Sequence, residues 1–255
     1  MPEPENRLAA ARERVAEARA VAVLTGAGIS AESGVPTFRG PEGLWRHYRA
    51  EDLATPDAFA RDPRLVWEWY DWRRGLIATA EPNPAHLALV FLERRCPTFT
   101  LITQNVDGLH RKAGSRSLIE LHGNIWHVRC TRCGVIALNF EVPIPIPPVC
   151  AQGASPARGA GPARCGGLLR PHVVWFGESL DSLDLDHSIA AIREADLFLI
   201  IGTSGVVQPA ASFAAHARAA GAYIVEINLA PGSSAEPDVT LIGRAAEILP
   251  RVMTD

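Results

Sequence analysis

The sequence predicts an α/β fold, with a doubly wound parallel sheet and a second, smaller domain. Short apolar segments alternate with helical segments, which is the pattern of parallel strands joined by crossover helices. Each predicted strand ends in polar or glycine residues, and parallel sheets bind ligands at those ends. Two irregular inserts supply the smaller domain. The sheet domain is predicted to take residues 1–40, 81–127 and 168–255, and the smaller domain a helical module, 41–80, and a cysteine-bearing module, 128–167.

The strands are predicted from short apolar or β-branched runs bounded by polar residues. They cover residues 21–25, 98–103, 118–121, 195–201 and 223–227. Helices are predicted from apolar residues at helical spacing and from proline after a capping side chain, as in Asp62-Pro63 and Asn83-Pro84. They cover residues 5–19, 62–80, 84–95, 206–220 and 245–252.

Composition places the chain among globular proteins. Of its 255 residues, 47% are hydrophobic and 21% are charged. The net charge of −3, with both signs spread along the chain, argues against nucleic-acid binding. Because no apolar run is long enough for a membrane span and the N-terminus lacks the pattern of a secretory signal, we expect a cytoplasmic protein without a membrane partner. We also expect a monomer.

A glycine turn, Gly26-Ala27-Gly28, directly follows the first predicted strand. Glycines at such a junction let bare backbone N–H groups approach a phosphate closely, which makes the turn a candidate nucleotide site. The spacing departs from Gly-x-Gly-x-x-Gly because the next glycine is Gly34, so an ordinary strand-to-helix turn stays an open alternative. Residues 35–39 (VPTFR) then place a proline, an aromatic ring and a guanidinium where a generic nucleotide fold does not require them.

Polar residues follow the other predicted strands in the same way. Because the carboxyl ends of parallel strands meet at one edge of a sheet, we expect them to line one crevice with the glycine turn. Among the eight histidines, His122 ends a strand and precedes a glycine, whereas His86 is expected to be a core or helix-contact residue. The strand-end residues are Gln104, Asn105, Asp107, His122, Gly202, Thr203, Ser204 and Asn228.

Four cysteines in the second insert predict a metal site. Cys130 and Cys133 form a Cys-x-x-Cys pair, and Cys150 and Cys165 flank a stretch rich in Ala, Gly, Pro and Arg, residues 151–164. Two thiolate pairs are usual ligands of structural Zn²⁺, and a long loop costs little closure free energy. Four thiolates leave no open coordination position, so the metal would stabilise the small domain rather than act on a substrate. A degraded site with one free thiol is the alternative.

These segments occur in the order found in sirtuins, and the chain resembles that family from about residue 21 to residue 245. The segments that carry the resemblance are GAGIS, SGVPTFR, TQNVD, LHG, the paired cysteines, RPHVVWFGE and GTS. The resemblance implies an NAD-dependent protein-lysine deacylase with a Rossmann-like large domain and a zinc-bearing small domain. It implies NAD as the co-substrate, one structural zinc ion, and acyl-lysine peptides or proteins as partners.

The resemblance also implies roles for individual residues. His122 would be the catalytic base, with Asn105 and Asp107 positioning the ribose and the nicotinamide. Imidazole suits a base because its unperturbed pKa is about 6.5. The residues that contact NAD would be Gly26, Ala27, Gly28, Ser30, Thr37, Phe38, Arg39, Trp45, Gln104, Asn105, Asp107, His122, Gly202, Thr203, Ser204, Asn228 and Ala245. The zinc ligands would be Cys130, Cys133, Cys150 and Cys165, and a substrate peptide would add as a strand to Val173, Val174, Phe176, Gly177 and Glu178.

Two features resemble the class III sirtuins, which remove acidic acyl groups such as succinyl and malonyl. Thr37 stands where most sirtuins have an acidic residue, and Tyr70 and Arg73 form a Tyr-x-x-Arg pair on the predicted 62–80 helix. Residues three apart share a helix face, so a phenol and a guanidinium can converge on one carboxylate. Ala54 would leave room for the longer acyl chain. By pattern alone, a solvated helix face is the stronger interpretation of Tyr70 and Arg73.

The sequence therefore predicts an enzyme that removes succinyl, malonyl and also acetyl groups from lysine, giving nicotinamide and O-acyl-ADP-ribose. The alternatives are a deacylase specific for acetyl, a non-catalytic module that binds NAD or ADP-ribose, and a Rossmann dehydrogenase. The glycine spacing argues against the dehydrogenase. Glu51 and Asp52 lie near the sequence separation from the glycine turn at which a dehydrogenase places its ribose-binding acid. They do not follow a second strand, however, as that acid does.

Overall fold

A computed structural model of the chain describes residues 4–37, 48–151, 165–232 and 236–253, which fall into two compact units. The larger unit comprises Met1–Phe38, Ala80–Leu121 and Leu180–Asp255, and the smaller unit comprises Arg39–Thr79 and His122–Ser179. Three residues that the sequence predicts to contact NAD, namely Phe38, Arg39 and Trp45, lie outside the described residues, as does most of the 151–164 stretch.

Strands and helices alternate along much of the described chain. The strands are β1 (Ala20–Thr25), β2 (Thr98–Thr103), β3 (Leu118–Glu120), β4 (Gly123–Cys130), β5 (Ile136–Leu138), β6 (Leu169–Val173), β7 (Leu197–Ile201), β8 (Tyr223–Asn228) and β9 (Val239–Ile242). The α-helices are α1 (Pro4–Glu17), α2 (Ala50–Leu53), α3 (Pro56–Arg61), α4 (Pro63–Ala78), α5 (Pro84–Arg95), α6 (Leu109–Ala113), α7 (Ser182–Glu194), α8 (Phe213–Ala219) and α9 (Ala245–Met253).

The larger unit contains a parallel sheet of six strands in the order β3-β2-β1-β7-β8-β9, which confirms the predicted fold class. Alternate residues of β1 enter two different cores. Val21 and Val23 pack in one apolar cluster with α1, α5 and α9, and Ala22 and Leu24 pack in another with α7 and α8. Both faces of the sheet are therefore covered, and this explains why the central strands β1 and β7 are almost entirely apolar.

Two predicted helix starts agree with the structure. The Asp62 carboxylate accepts a hydrogen bond from the Leu65 N–H at 3.0 Å, and the Asn83 side chain accepts one from the Ala85 N–H at 2.9 Å. The predicted 206–220 helix is wrong in length, because the α-helix begins only at Phe213. Pro209 disfavours helical geometry in the residue before it. None of the helices in the described ranges combines the length and the apolar character that a membrane crossing requires.

The smaller unit contains an antiparallel sheet that the sequence did not predict, in the order β5-β4-β6. Residues 122–127 and 168–179, which the sequence grouped with the sheet domain, fall in this unit because β4 pairs with β6. Residues 41–80 were expected to be helical, and α2, α3 and α4 occupy the described part of that range. The assignment of the larger unit as the NAD-binding domain stays a prediction.

Candidate functional site

The glycine turn after β1 packs against the turn after β7. The Gly26 N–H donates to the carbonyl oxygen of Ile201 at 3.0 Å, and the Gly28 N–H donates to that of Gly202 at 2.8 Å. A Cβ at Gly26 would lie 2.8 Å from the Gly202 oxygen, and a Cβ at Gly28 would lie 2.7 Å from the Gly202 Cα. Gly202 itself has a φ of +60°, in the left-handed region that favours glycine. These glycines therefore allow two backbone turns to lie in contact at the carboxyl edge of the sheet.

Side chains from two further strands join these turns. Gln104, after β2, donates through Nε2 to Thr203 Oγ1 at 3.0 Å, and Asn228, at the end of β8, donates through Nδ2 to the Thr203 carbonyl oxygen at 2.7 Å. The ends of β1, β2, β7 and β8 thus meet at one edge, as the sequence predicted. This edge collects Gly26, Ala27, Gly28, Gln104, Asn105, Gly202, Thr203, Ser204 and Asn228. Ala27, Gly28, Gln104, Ser204 and Asn228 are half-buried at this edge, and the carboxyl edge of a parallel sheet is where such folds bind nucleotides.

Ala245 and Thr37, two further residues that the sequence predicts to contact NAD, are not among the strand-end residues of this edge. The Ala245 side chain is buried in the apolar cluster that also contains Ile29 and Val225, so it packs in the core. The N–H of the next residue, Ala246, donates to Glu32 Oε2 at 2.9 Å. Thr37 is half-buried and is the last described residue before the gap at 38–47.

Asn105 is anchored to the glycine turn by its own side chain. Its Nδ2 donates to the Gly26 carbonyl oxygen at 3.0 Å and to Ser30 Oγ at 3.1 Å, and the residue is 8% exposed. Both amide protons are therefore used inside the protein. The carboxamide oxygen is the polar atom of this side chain that remains for a ligand. Asp107 is also buried, and its Oδ1 accepts from the Leu109 N–H at 2.8 Å.

Two buried histidines lie beneath this edge, and the sequence assigned neither a part in the site. His86 Nδ1 accepts from the Asn83 N–H at 3.3 Å, and its Nε2 lies 3.5 Å from Ser30 Oγ. His110 Nε2 lies 2.9 Å from Thr25 Oγ1. The two imidazole rings are 4.8 Å apart between centroids. Ser30, which also accepts from Asn105, thereby links this network to the candidate cofactor edge.

Burial sets the protonation of the two histidines. It lowers the pKa of His86 to about 4, and it holds the pKa of His110 well below 6.5, with the neighbouring His86 as a second cause. Both rings are therefore neutral at neutral pH. The prediction that His86 is a core residue is confirmed, since it is fully buried. His86 is the third residue after the helix cap Asn83, a spacing that could have signalled a link to that turn.

The four cysteines of the smaller unit form one cluster. The Sγ atoms of Cys130 and Cys165 are 3.7 Å apart, those of Cys133 and Cys150 are 3.9 Å apart, and all four lie within 4.8 Å of one another. A tetrahedral Zn²⁺ with Zn–S bonds of about 2.3 Å has S···S edges of about 3.8 Å, so the residues fit zinc. The Cys133 and Arg132 N–H groups donate to Cys130 Sγ and lower the pKa of that thiol to about 6, which favours the thiolate that a metal needs.

The segment from Val173 to Glu178 is tied to its own unit. The Val174 N–H donates to the His122 carbonyl oxygen, and the Phe176 N–H donates to that of Ala54, each at 2.9 Å. The Glu178 carboxylate accepts from the Trp175 N–H at 2.9 Å and forms a two-contact ion pair with Arg170 at 2.6 and 2.9 Å. Several donors that an added peptide strand would use are therefore already engaged. Gly177, with a φ of +88°, turns the chain after this segment.

Tyr70 is buried rather than solvated, which removes the solvated-face interpretation for this residue. It is 1% exposed, and its hydroxyl oxygen accepts from Trp175 Nε1 at 2.8 Å. The Arg73 guanidinium lies 5.1 Å from the Trp69 ring centroid and 5.9 Å from that of Tyr70. Ala54 is also buried, at 8% exposure. A phenol and a half-buried guanidinium from one face of α4 thus lie side by side.

His122 is the first residue of the second segment of the smaller unit, His122–Ser179, and is half-buried. The next residue, Gly123, has a φ of +77°, and a Cβ there would lie 2.3 Å from the His172 carbonyl oxygen. This glycine lets the chain turn sharply into β4 directly after the imidazole. The sequence pattern of a histidine followed by glycine therefore has a local structural cause.

A profile of the Sir2 family matches residues 26–209 of the chain. The "NAD-dependent protein deacylase" of Aquifex aeolicus is 54% identical over 209 residues, which is 82% of each chain. The "NAD-dependent protein deacylase 2" of Pyrobaculum aerophilum is 50% identical over 243 residues, covering 94% of this chain and 92% of that protein.

The fold is also similar to solved structures. The "crystal structure of a Sir2 homolog–NAD complex" matches with a TM-score of 0.84 and 44% identity, covering 95% of this chain and 91% of that chain. That structure contains NAD, as its description says. The similarity extends over nearly the full length of both chains.

Proposed function

Because the chain belongs to the Sir2 family, we propose that it is an NAD-dependent protein-lysine deacylase. The single observation that supports this most directly is the contact between the glycine turns of β1 and β7, which Gln104, Asn105 and Asn228 join. The carboxyl edge of a parallel sheet, where these turns meet, is the place at which such folds bind dinucleotides. The enzyme would use NAD as its co-substrate and acyl-lysine proteins as its partners, and it would release nicotinamide, free lysine and O-acyl-ADP-ribose.

Individual residues would divide the work at the cofactor edge. Gly26, Ala27 and Gly28 would face the phosphates, and Asn105 and Asp107 would orient the nicotinamide and its ribose. Ser30 and the neutral His86 would hold Asn105 in place, because Asn105 donates to Ser30 Oγ and His86 Nε2 lies 3.5 Å from the same oxygen. His110 would support them through its ring contact with His86. Phe38, Arg39 and Trp45 would complete the site as the family resemblance implies.

His122 would act as the general base. It would take a proton from a ribose hydroxyl, so that the hydroxyl oxygen can attack the acyl carbon. An imidazole serves this role well near neutral pH, and general-base catalysis typically contributes about 10²–10⁴-fold to a rate. The four cysteines would hold one structural Zn²⁺ that stabilises the smaller unit, since four thiolates leave no coordination position for a substrate.

We further propose a preference for acidic acyl groups such as succinyl and malonyl. Two observations support it: the buried Tyr70 hydroxyl, and the Arg73 guanidinium that lies over the rings of Trp69 and Tyr70. A carboxylate would receive two charge-assisted hydrogen bonds there. The small, buried Ala54 would accommodate the longer acyl chain.

A panel of acetyl, malonyl, succinyl and glutaryl lysine peptides, each with and without NAD, tests this proposal. We expect NAD-dependent release of nicotinamide without NADH absorbance, and a higher kcat/KM for the acidic acyl peptides. Stoichiometric NAD binding without turnover of any peptide would favour the non-catalytic module. NADH absorbance would favour the dehydrogenase. Turnover of the acetyl peptide alone would remove the acidic preference and leave the deacylase.

The same peptides assayed with the Arg73→Met variant test whether Arg73 binds the acyl carboxylate. Met keeps the length and apolar character of the side chain but loses the charge, so desuccinylation should fall by about 10- to 100-fold while deacetylation changes little. The ratio of the two kcat/KM values measures this directly. Equal losses for both substrates would contradict the carboxylate contact.

A further inference from the structure

The indole of Trp175 makes a hydrogen bond that fixes the direction of the Tyr70 hydroxyl. Trp175 Nε1 lies 2.8 Å from the Tyr70 hydroxyl oxygen, and the two residues are 2% and 1% exposed. An indole N–H can only donate, so the tyrosine oxygen is the acceptor. The single hydroxyl proton of Tyr70 therefore points away from Trp175.

That proton has no acceptor within hydrogen-bond distance in the part of the chain that the structure describes. A buried donor without an acceptor is unfavourable, and an acceptor that arrives with a substrate would satisfy it. Burial raises the pKa of Tyr70 to about 12, so the phenol stays protonated in any ordinary assay buffer. The group is thus a permanent donor, and its neighbour is the Arg73 guanidinium, 5.9 Å from the Tyr70 ring centroid.

Trp175 is itself held on both sides. The Phe59 ring lies 5.3 Å from it between centroids, and the Arg170 guanidinium lies 3.4 Å from its ring centroid. Arg170 is paired with Glu178, whose carboxylate also accepts the Trp175 backbone N–H. These contacts leave the indole little freedom to rotate, so the direction of its N–H is set by the fold.

We infer that Trp175 is a positioning residue that makes Tyr70 an obligate hydrogen-bond donor to acyl groups ending in a carboxylate. This inference rests on the proposed acidic-acyl preference and deepens it. If the Trp175 N–H were absent, the Tyr70 hydroxyl could rotate and lose its fixed direction, which would weaken binding of a carboxylate. An acetyl group has no such carboxylate, so its binding would change little.

The contrasting interpretation is that Trp175 is only a core residue. A core residue would affect every substrate to the same degree, because loss of packing changes the amount of folded enzyme and not its choice of acyl group. The readout must therefore be the ratio of succinyl to acetyl kcat/KM, together with the separate KM and kcat values.

The experiment combines Trp175→Phe, Tyr70→Phe and the double variant. Trp175→Phe keeps an aromatic ring and removes the N–H; we expect the succinyl kcat/KM to fall about tenfold, mainly through KM, and the acetyl value to change by less than about twofold. In the Tyr70→Phe background the same change should cost nothing further, since the hydroxyl that it orients is gone.

A matched control is Trp67→Phe. Trp67 is a fully buried tryptophan of the same unit whose Nε1 donates to the Leu169 carbonyl oxygen at 2.7 Å, and its ring lies near that of Tyr70 without bonding its hydroxyl. This variant should lower both activities equally, if at all, and leave their ratio unchanged. If Trp175→Phe fails to fold, 3-benzothienylalanine at position 175 replaces the N–H by sulfur with almost no change of shape, and the same shift in ratio is expected.

Each outcome has one meaning. An unchanged ratio in both position-175 variants, or losses that add to those of Tyr70→Phe, overturns the positioning role while the acidic preference of the wild type stands. A wild-type enzyme that deacetylates but does not desuccinylate overturns the acidic preference and the positioning role with it. A shift in ratio that disappears in the Tyr70→Phe background supports both.

Discussion

The two units of this protein fix their candidate functional groups by different means. In the larger unit, backbone turns touch through Gly26, Gly28 and Gly202, and a parallel sheet with apolar cores on both faces supports them. In the smaller unit, side chains hold one another: four cysteines cluster, and Arg170 pairs with Glu178 around Trp175. Substitutions should therefore act through backbone strain in the larger unit and through lost side-chain partners in the smaller one.

Metal removal should have the largest effect, and only on the smaller unit. A zinc chelator, or Cys130→Ser, should release about one zinc per chain, unfold the smaller unit and abolish deacylation, because metal binding supplies folding free energy to such modules. Both apolar clusters of the larger unit are built from its own residues, so its sheet should stay folded. Hydrogen exchange resolved along the chain measures this. A folded, active, metal-free protein would contradict the zinc site.

Adding one methyl group to the glycine turn tests whether the close contact between the two turns requires glycine. In Gly28→Ala the new Cβ would meet the Gly202 backbone at 2.7 Å, so one turn must move. We expect a loss of about 1–3 kcal/mol in the free energy of unfolding and much weaker NAD binding. Urea unfolding and calorimetric titration with NAD are the measurements.

Gly75→Ala is the matched control for that change. Gly75 lies inside α4, and a Cβ there would have no neighbour within 4 Å. Alanine in a helix interior should stabilise the protein by about 0.5–1 kcal/mol and leave NAD binding unchanged. If the two variants behaved alike, the close contact between the turns would not be what requires glycine.

The buried histidines should make the free energy of unfolding of the larger unit depend on pH, with a smaller effect than the changes above. The pKa of His86 is lowered to about 4 by burial, whereas the unfolded chain titrates near 6.5, so the unfolded state binds more protons below that pH. Stability is fully present above pH 6.5 and falls as the pH drops towards 4. Between pH 7.5 and 5.5 the loss from His86 should be roughly 1.4 kcal/mol.

Urea unfolding at a series of pH values tests this linkage. His86→Asn keeps an acceptor for the Asn83 N–H and removes the titrating ring, so its stability should depend less steeply on pH. His187→Asn, at an exposed position on α7, serves as the control and should keep the wild-type slope. An identical slope in all three proteins would argue against a buried neutral His86.

The sequence predicted the larger unit better than the smaller one, and the reason is physical. Strand β2 was predicted at its observed bounds, Thr98–Thr103, because its residues are all apolar or β-branched. The helix starts at Asp62 and Asn83 were recognised because capping is a local pattern. The short edge strand β9 was missed, although its four residues are apolar or β-branched.

Most contacts that the sequence did not predict join residues that are far apart in the chain. β4 and β6 pair across a long gap in the chain, and neither shows regular alternation of apolar residues. Thr25 meets His110 85 positions away, and Tyr70 meets Trp175 105 positions away, so no local spacing could signal these contacts. The cysteine cluster was predictable because Cys130 and Cys133 carry a metal-ligand spacing within one short segment.

The proposed deacylation with His122 as the base is tested most directly by His122→Ala, assayed by mass spectrometry with an acyl-lysine peptide and by calorimetry with NAD. We expect the wild type to form nicotinamide, free lysine and O-acyl-ADP-ribose in equal amounts. We expect the variant to lose about 10²–10⁴-fold in turnover while it still folds and binds NAD. Retained turnover in His122→Ala would remove this residue as the base, and the absence of O-acyl-ADP-ribose from the wild-type products would contradict the deacylase itself.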